Sequence, residues 1–365
     1  MSLTAGIVGL PNVGKSTLFN AITKSQVEAA NYPFATIAPN VGVVKVNDPR
    51  LEEIRKRIES EKVIPTTFEF TDIAGLVKGA SQGEGLGNQF LSNIREVDAI
   101  IHVVRCFDSD DITHVSGRVD PIDDIEIIEI ELMLADLQVV ENRIKRVEKK
   151  ATVDQDAKQE YNMLLKAKEA LEDNKPLTTV DFSKEELSLA RTFHFLTLKP
   201  MIYAANIDED SITDANSNQH YLRVKEYATE NHKSVVWLSA KVEEDLSSLD
   251  DDEKKEFLLD LGVEESGLDL LVKRSYEILN LRTFFTAGPK EIRAWTYKAG
   301  MRAPECAGVI HTDFERGFIR AETFSYDDLL KYGSEQGVQE AGRLRLEGKD
   351  YMTRDGDIMH FRFNV

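Results

Sequence analysis

Short apolar runs alternate with amphipathic stretches through the first hundred residues. Ala5 to Val8 is a buried-strand pattern, followed by a glycine-bounded turn and a helix over Thr17 to Lys24. Val43 to Val46 reads as a second strand, Arg50 to Ser60 as a charged helix, and Thr66 to Thr71 as an alternating strand ending at Asp72. A helix from about Asn88 to Glu96 leads to Ala99 to Val104, a continuous apolar run suited to a central parallel strand. Strands return at Pro200 to Ala205 and Ser234 to Leu238. This alternation predicts an α/β fold, a mostly parallel sheet with helices on both faces.

Two regions break the pattern. From Ile125 to Leu171 there is helix-forming sequence without a strand signal, and Met133, Leu137, Val140, Ile144, Val147 and Ala151 recur as a heptad seam. A shorter seam runs through Ala157, Tyr161, Leu164 and Leu171, interrupted by Lys168, and the break near Thr152 to Asp156 predicts an antiparallel helical hairpin. It is either an ordinary helix pair or a partner-binding arm. The acidic stretch Glu243 to Glu256 reads as a solvated surface segment. From Leu281 short strands and turns predict a small α+β domain: strands at Thr283 to Phe285, Ile292 to Trp295, Gly308 to His311, Gly317 to Ala321 and His360 to Phe363, with short helices near Ala303 to Cys306 and Tyr326 to Tyr332. The expected division is a nucleotide-binding domain over 1–127 and 199–280, a helical insertion over 128–198 and a C-terminal domain over 281–365.

The chemistry concentrates where the first strand ends. Gly9-Leu-Pro-Asn-Val-Gly14-Lys15-Ser16-Thr17 fits G-x-x-x-x-G-K-[ST] between a strand and a helix, the setting a phosphate-binding loop needs. Glycines let backbone N–H groups close around a polyphosphate, and the helix N-terminus adds its dipole. Asn12, Val13, Gly14, Lys15, Ser16 and Thr17 are therefore expected at the nucleotide, with Lys15 on the terminal phosphates and Ser16 on Mg²⁺. Thr36, in the next connection, is a second candidate for the metal and for sensing the γ-phosphate. Asp72-Ile-Ala-Gly75 supplies D-x-x-G, with Asp72 toward Mg²⁺ and Gly75 toward the γ-phosphate. Asn206-Ile207-Asp208-Glu209 stands where GTPases carry N-K-x-D, and Ser239-Ala240-Lys241 where backbone meets the base. Five elements in order, each at a strand-to-loop junction, point to a G-domain.

Two departures shape the expected activity. Glu209 and Ile207 replace the aspartate and lysine that hold guanine, so guanine preference should weaken and adenine can take its place. Losing such a polar contact costs roughly 1–3 kcal/mol. Leu76 follows D-x-x-G where small GTPases have a water-orienting glutamine, so another group must position the nucleophile. Asn12 is one route, by helping to hold a monovalent cation such as K⁺ on the phosphates. His114, in a polar loop after a central strand, is another, and otherwise an exposed loop histidine. Arg95 and Arg105 read as structural pairings and His102 as a packed core residue.

Composition narrows the rest. A net charge of −19 argues against a broad electrostatic grip on nucleic acid but leaves room for a local basic patch, and no DNA partner is expected. Cys106 and Cys306 have no metal spacing and read as reduced thiols. No targeting segment or membrane-length apolar run is seen, so a cytoplasmic protein without a membrane partner is expected.

The residues together resemble the Obg-like ATPase (YchF) family of translation-factor-class P-loop GTPases. The resemblance rests on Gly-Leu-Pro-Asn-Val-Gly-Lys-Ser-Thr from Gly9, Asn-Tyr-Pro-Phe-Ala-Thr-Ile-Ala-Pro-Asn from Asn31, Asp-Ile-Ala-Gly-Leu-Val-Lys-Gly-Ala-Ser from Asp72 and the N-x-x-E variant at Asn206, and it covers essentially the whole chain. It implies a coiled-coil insertion and a C-terminal TGS domain of ubiquitin-like β-grasp fold. It also implies ATP preferred or accepted over GTP, and hydrolysis without the usual glutamine, to which Leu76 conforms. It further implies ribosome association through the TGS domain and helical arm, with a role in translation or stress regulation. Near the start of the TGS segment, Arg293, Lys298 and Arg302 read as solvated surface or as contacts. A GTP-selective switch with Glu209 in the aspartate's role, or an adaptor in which nucleotide is only structural, are the alternatives. Relative ATP and GTP affinities separate the first; loss of nucleotide binding in Lys15→Ala without loss of partner binding would favour the second.

Overall fold

The computed structural model describes residues 3–25, 40–73, 86–109, 112–114 and 117–364. They form two compact units, Leu3–Val43 with Glu69–Arg274, and Val44–Phe68 with Ser275–Val365. In chain order the elements begin β1 (Thr4–Val8), α1 (Lys15–Lys24), β2 (Val41–Lys45), α2 (Arg50–Arg55), β3 (Val63–Ile64), β4 (Thr67–Asp72), α3 (Leu86–Glu96) and β5 (Ala99–Cys106). Next come α4 (Pro121–Val147), α5 (Gln155–Glu172), α6 (Lys184–Arg191), β6 (Met201–Ile207), α7 (Gln219–Glu230), β7 (Ser234–Leu238), α8 (Ala240–Leu246), α9 (Asp251–Asp260) and α10 (Gly267–Ile278).

The first sheet has the order β2-β4-β1-β5-β6-β7. β1 runs parallel to β4 and β5, β5 to β6, and β6 to β7. β5 and β6 are buried along their whole length, which is why they read as unbroken apolar runs. Parallel pairing brings the carboxyl ends of β1, β4, β5, β6 and β7 to one edge, where α/β sheets bind ligands.

The helical insertion belongs to the same unit. Asp120 caps α4 by accepting from the Ile122 amide, with Pro121 in the first turn, and Asp154 caps α5 through the Asp156 amide. The heptad seam is the packed one: Met133, Val140 and Val147 meet Ala157, Met163, Leu164, Ala167 and Leu171, flanked by Leu137, Ile144, Ala151 and Tyr161. Lys168 reaches out to Glu141 and Glu172 instead. The arm's base is fixed by two carboxylates, Asp136 buried and Glu129 half-buried. Asp136 accepts from the Leu196 and Thr197 amides at 2.9 and 2.8 Å, and Glu129 accepts from Tyr203 Oη at 2.6 Å.

The second unit contributes β8 (Leu281–Ala287), β9 (Ile292–Lys298), α11 (Ala303–Ile310), α12 (Thr312–Arg316), β10 (Phe318–Ser325), α13 (Tyr326–Tyr332), α14 (Glu335–Glu340), β11 (Arg345–Glu347) and β12 (Asp357–Phe363). Its sheet order is β11-β10-β12-β8-β9-β3. Two antiparallel pairs, β8 with β9 and β10 with β12, join through parallel β12 and β8, the arrangement of a β-grasp sheet. Residues from the N-terminal half complete it: β3 adds parallel to β9, and Leu51, Ile54 and Ile58 pack with Phe285, Ile292, Phe324 and Ile358.

Several local expectations change. Gly308 to His311, read as a strand, is the end of helix α11, because Ala303, Cys306 and Ala307 fall on one buried helical face. The helix expected over Arg50 to Ser60 closes at Arg55. The acidic stretch from Glu243 is not simply solvated. Helices α8 and α9 occupy it, and buried Glu243 accepts from the Gly267 amide at 2.7 Å, with burial pushing its carboxyl up to about 7. Among the described residues no helix is long and apolar enough to cross a membrane.

The arm's seam makes a measurable claim. Met163 is fully buried whereas Val153 is 87% exposed. Met163→Ala should destabilise by about 2–5 kcal/mol and Val153→Ala by less than about 0.5 kcal/mol, read as shifts in denaturant midpoint.

Candidate functional site

The site is built at the carboxyl end of β1. Beyond Val8 the chain must turn where two other strands crowd it. At Gly9 a Cβ would lie 2.5 Å from the Val103 carbonyl oxygen. At Gly14, which has a φ of 97°, it would lie 2.2 Å from Asn206 Nδ2. Only glycine fits either position. α1 then starts at Lys15 with no side-chain cap and no acidic residue in its first turn, leaving its leading N–H groups and positive dipole end to an anion.

Lys15 is buried, and its Nζ donates to the Leu10 carbonyl at 2.6 Å. That bond holds the ammonium against the loop. Burial pulls its pKa down to about 8, with the Asp72 carboxylate opposing the shift. Asp72, at the end of β4, is itself pushed up by burial and held back by Lys15. Ser16 is exposed and Thr17 half-buried in the same helical turn. Asp72 makes no ion pair among the described residues, and a half-buried carboxylate at the end of β4, within electrostatic reach of Lys15, fits a Mg²⁺ held jointly with phosphate oxygens. Thr36, Gly75 and Leu76 lie outside the described residues.

The base-side motifs converge on Asn206. Its Nδ2 donates to the Val13 carbonyl at 2.9 Å, and its Oδ1 accepts from the Ala240 amide at 2.9 Å. One buried amide thus ties the phosphate loop to the loop after β7. Ser239 and Ala240 are buried, while Lys241 is exposed and ion-pairs with Glu209, which raises the lysine's pKa. Ile207 differs from expectation. It is buried at the end of β6, in register with Cys106, so its side chain is enclosed in the sheet rather than presented to a base.

The candidates for the missing glutamine also move. Asn12 has a φ of 61°, and its Nδ2 donates to the Thr113 carbonyl at 3.1 Å. The neighbouring His114 is buried rather than exposed, with Nε2 3.0 Å from Asp124 Oδ2 in the first turn of α4. Burial raises the Asp124 carboxyl and the His114 contact lowers it. Neither Thr113 nor Asp124 carries a motif signal in the sequence; only the capped Asp120-Pro121 helix start hints at α4's position. Arg105 fixes the same loop through the Phe107 and Ile112 carbonyls, and Arg95 donates to the His194 carbonyl, so both are structural. His102 lies in β5 edge-on to Tyr203, and burial first, then Lys15, pull its pKa down to about 3. It is a neutral core residue.

Lys15 gives the site a pH signature. Phosphates would raise its pKa above the free value of about 8, so binding is strongest while the free lysine is charged and weakens as pH climbs through that value. Affinity for a nucleoside triphosphate in saturating Mg²⁺ should be level to about pH 7 and fall by up to roughly tenfold per unit above about pH 8. Fluorescence titrations across this range check it, and a flat profile contradicts it.

Comparison with known proteins agrees with this geometry. Residues 4–143 match the model described as a 50S ribosome-binding GTPase, and residues 281–364 match the YchF GTPase C-terminal model, described as a protein of unknown function. The chain is 58% identical to the ribosome-binding ATPase YchF of Bacillus subtilis (strain 168) and 55% identical to that of Escherichia coli O157:H7, each over 100% of both chains. The solved structure of the Schizosaccharomyces pombe YchF GTPase superposes with a TM-score of 0.90 at 38% identity, covering 99% of this chain and 98% of that one. With a phosphate loop tied through Asn206 to the base-side loop, a helical arm and a β-grasp C-terminal sheet, the chain belongs to the YchF family of P-loop GTPases.

Proposed function

We propose that this chain is a cytoplasmic, ribosome-associated switch that hydrolyses ATP to ADP and phosphate with Mg²⁺. The observation that carries the reading is Asn206, which joins the phosphate loop to the base-side loop in one hydrogen-bonded frame. Bacterial relatives named ribosome-binding ATPases, matched over their full length, support it.

Within that frame the residues divide the work. The N–H groups of Val13 to Thr17 cradle the β- and γ-phosphates, and Lys15 neutralises them once it exchanges the Leu10 carbonyl for phosphate oxygens. Ser16, Thr36 and Asp72 would hold Mg²⁺, which would offset charge developing on the terminal phosphate. Gly75 contacts the γ-phosphate, and Asn12 is the group to support a K⁺. His114 takes the role left open by Leu76: Asp124 fixes its ring and Asn12 ties the adjoining residue to the phosphate loop. Glu209, Ser239, Ala240 and Lys241 line the base, with the backbone of Ile207 beside them. The helical arm and the TGS domain are the modules we assign to the ribosome, in translation or stress regulation.

The Schizosaccharomyces pombe relative is titled a GTPase, which keeps a GTP-selective reading in view. The Glu209–Lys241 pair supports the ATP reading, because one Glu209 oxygen is already engaged by lysine, which weakens the two-bond acceptance that guanine needs. ATP should therefore bind more tightly than GTP, and Lys241→Ala combined with Glu209→Asp should narrow the gap. Competition titrations with both nucleotides test this, and tighter GTP binding by the unaltered chain sinks the ATP reading. For the chemical step, His114→Ala should lower kcat by roughly 10²–10⁴-fold while leaving ATP affinity nearly unchanged. Single-turnover kinetics measure it, and an unaltered rate removes His114 from the mechanism.

A further inference from the structure

The arm has a charge asymmetry that its packing does not require. Residues 121–142 carry seven carboxylates and no lysine or arginine. Residues 143–150 carry five cations, Arg143, Lys145, Arg146, Lys149 and Lys150, against one carboxylate, Glu148. The changeover falls at the outer end of a 27-residue helix, ~40 Å long at the usual rise. Cations near a helix C-terminus complement its dipole, but that effect is confined to the last turn and needs only one or two of them.

The pairing pattern is more telling than the count. Arg143 is committed, ion-paired to Glu160 and lying over the Phe193 ring. Lys145, Arg146, Lys149 and Lys150 are exposed and make no ion pair among the described residues. Lys145 and Arg146 lie in the last turn of α4, and Lys149 and Lys150 follow directly after its end at Val147. Lys158 on α5 and Lys184 on α6 are likewise exposed and unpaired. Arg146, Lys150 and Lys184 border an open cleft of about 990 Å³ that also presents Ser188 and Thr192. The same cleft is lined by Asp154, Asp156, Glu160 and Glu185, which match its cations Arg143, Arg146, Lys150 and Lys184 in number, so the excess positive charge of this end lies outside it, on Lys145, Lys149 and Lys158. Four cations gathered where α4 ends, with no ion pair among the described residues of an acidic protein, are the footprint of a local polyanion contact.

We propose that the end of the arm docks on the phosphate backbone of ribosomal RNA through Lys145, Arg146, Lys149 and Lys150. The inference rests on the ribosome reading and names the surface and the chemistry by which it is met. RNA is favoured over an acidic protein because the four cations come without the buried aromatic or aliphatic anchors that protein interfaces need; Val153 alone stands exposed beside them. The acidic base of the arm would repel the same backbone, so contact is confined to the end.

The test uses the full chain with Lys145→Gln, Arg146→Gln, Lys149→Gln and Lys150→Gln together. A control of equal charge change, outside both the arm and the C-terminal domain, carries Lys225→Gln, Lys254→Gln, Lys255→Gln and Lys273→Gln. Both are checked for unaltered circular dichroism and melting. Co-sedimentation with ribosomes over a KCl series should show the wild-type affinity falling steeply with salt. The arm variant should bind at least ~10-fold more weakly, with a log–log salt slope shallower by about 3, at roughly 0.7–0.9 per lost phosphate contact. The control should track the wild type. Protein-free ribosomal RNA should compete for the wild-type chain and much less for the arm variant. An arm variant with wild-type affinity and slope overturns the proposal. Loss of ribosome binding without competition by RNA overturns the RNA assignment in favour of a ribosomal protein. A wild-type chain that does not sediment overturns the ribosome reading itself.

Discussion

The contact on which the nucleotide-binding unit turns is the meeting of Gly14 with Asn206. The glycine's φ of 97° opens space that a Cβ would close to 2.2 Å, and the Asn206 amide fills it with a bond to the Val13 carbonyl on one side and one from the Ala240 amide on the other. Two loops separated by more than two hundred residues thereby share one buried side chain. Removing it would leave a buried carbonyl and a buried N–H unsatisfied, each costing about 1–3 kcal/mol. The loop after β1 and the loop after β7 are thus joined through one side chain, at strand ends that the parallel sheet has already aligned.

Buried carboxylates serve as fasteners in the same unit. Asp136 gathers two backbone amides and the Thr197 hydroxyl at the base of the arm, and Glu243 holds the start of α10. Asp124 differs, because one of its oxygens meets His114 while the other is buried without a hydrogen-bond partner among the described residues. A buried carboxylate so incompletely satisfied costs stability, and the histidine it holds follows Thr113, whose carbonyl accepts from Asn12 in the phosphate loop.

Much of this was legible in the residues because the constraints are local. A phosphate loop needs its glycines at fixed places, a buried parallel strand needs an unbroken apolar run, and a helical hairpin needs its seam. What stayed hidden was set by distant partners. Gly308 to His311 carries β-branched residues that favour a strand, but the buried face of Ala303, Cys306 and Ala307 draws the segment into a helix. Glu243 sits in an acidic run whose composition says surface, and only the Gly267 amide, 24 residues later, explains its burial. β3 is two residues long and gains its place by pairing with β9. Ile207 was read by its place in a motif, whereas its enclosure depends on the neighbouring β5.

The central claim is that the frame around Asn206 turns over ATP as a ribosome-linked switch. Steady-state hydrolysis of ATP and GTP by the full chain, in potassium and in sodium buffers, with and without ribosomes, tests it most directly. The account predicts ATP turnover above GTP turnover and a clear rise when ribosomes are added. Negligible hydrolysis of both nucleotides in every condition would contradict it, and would leave a nucleotide-stabilised adaptor in its place.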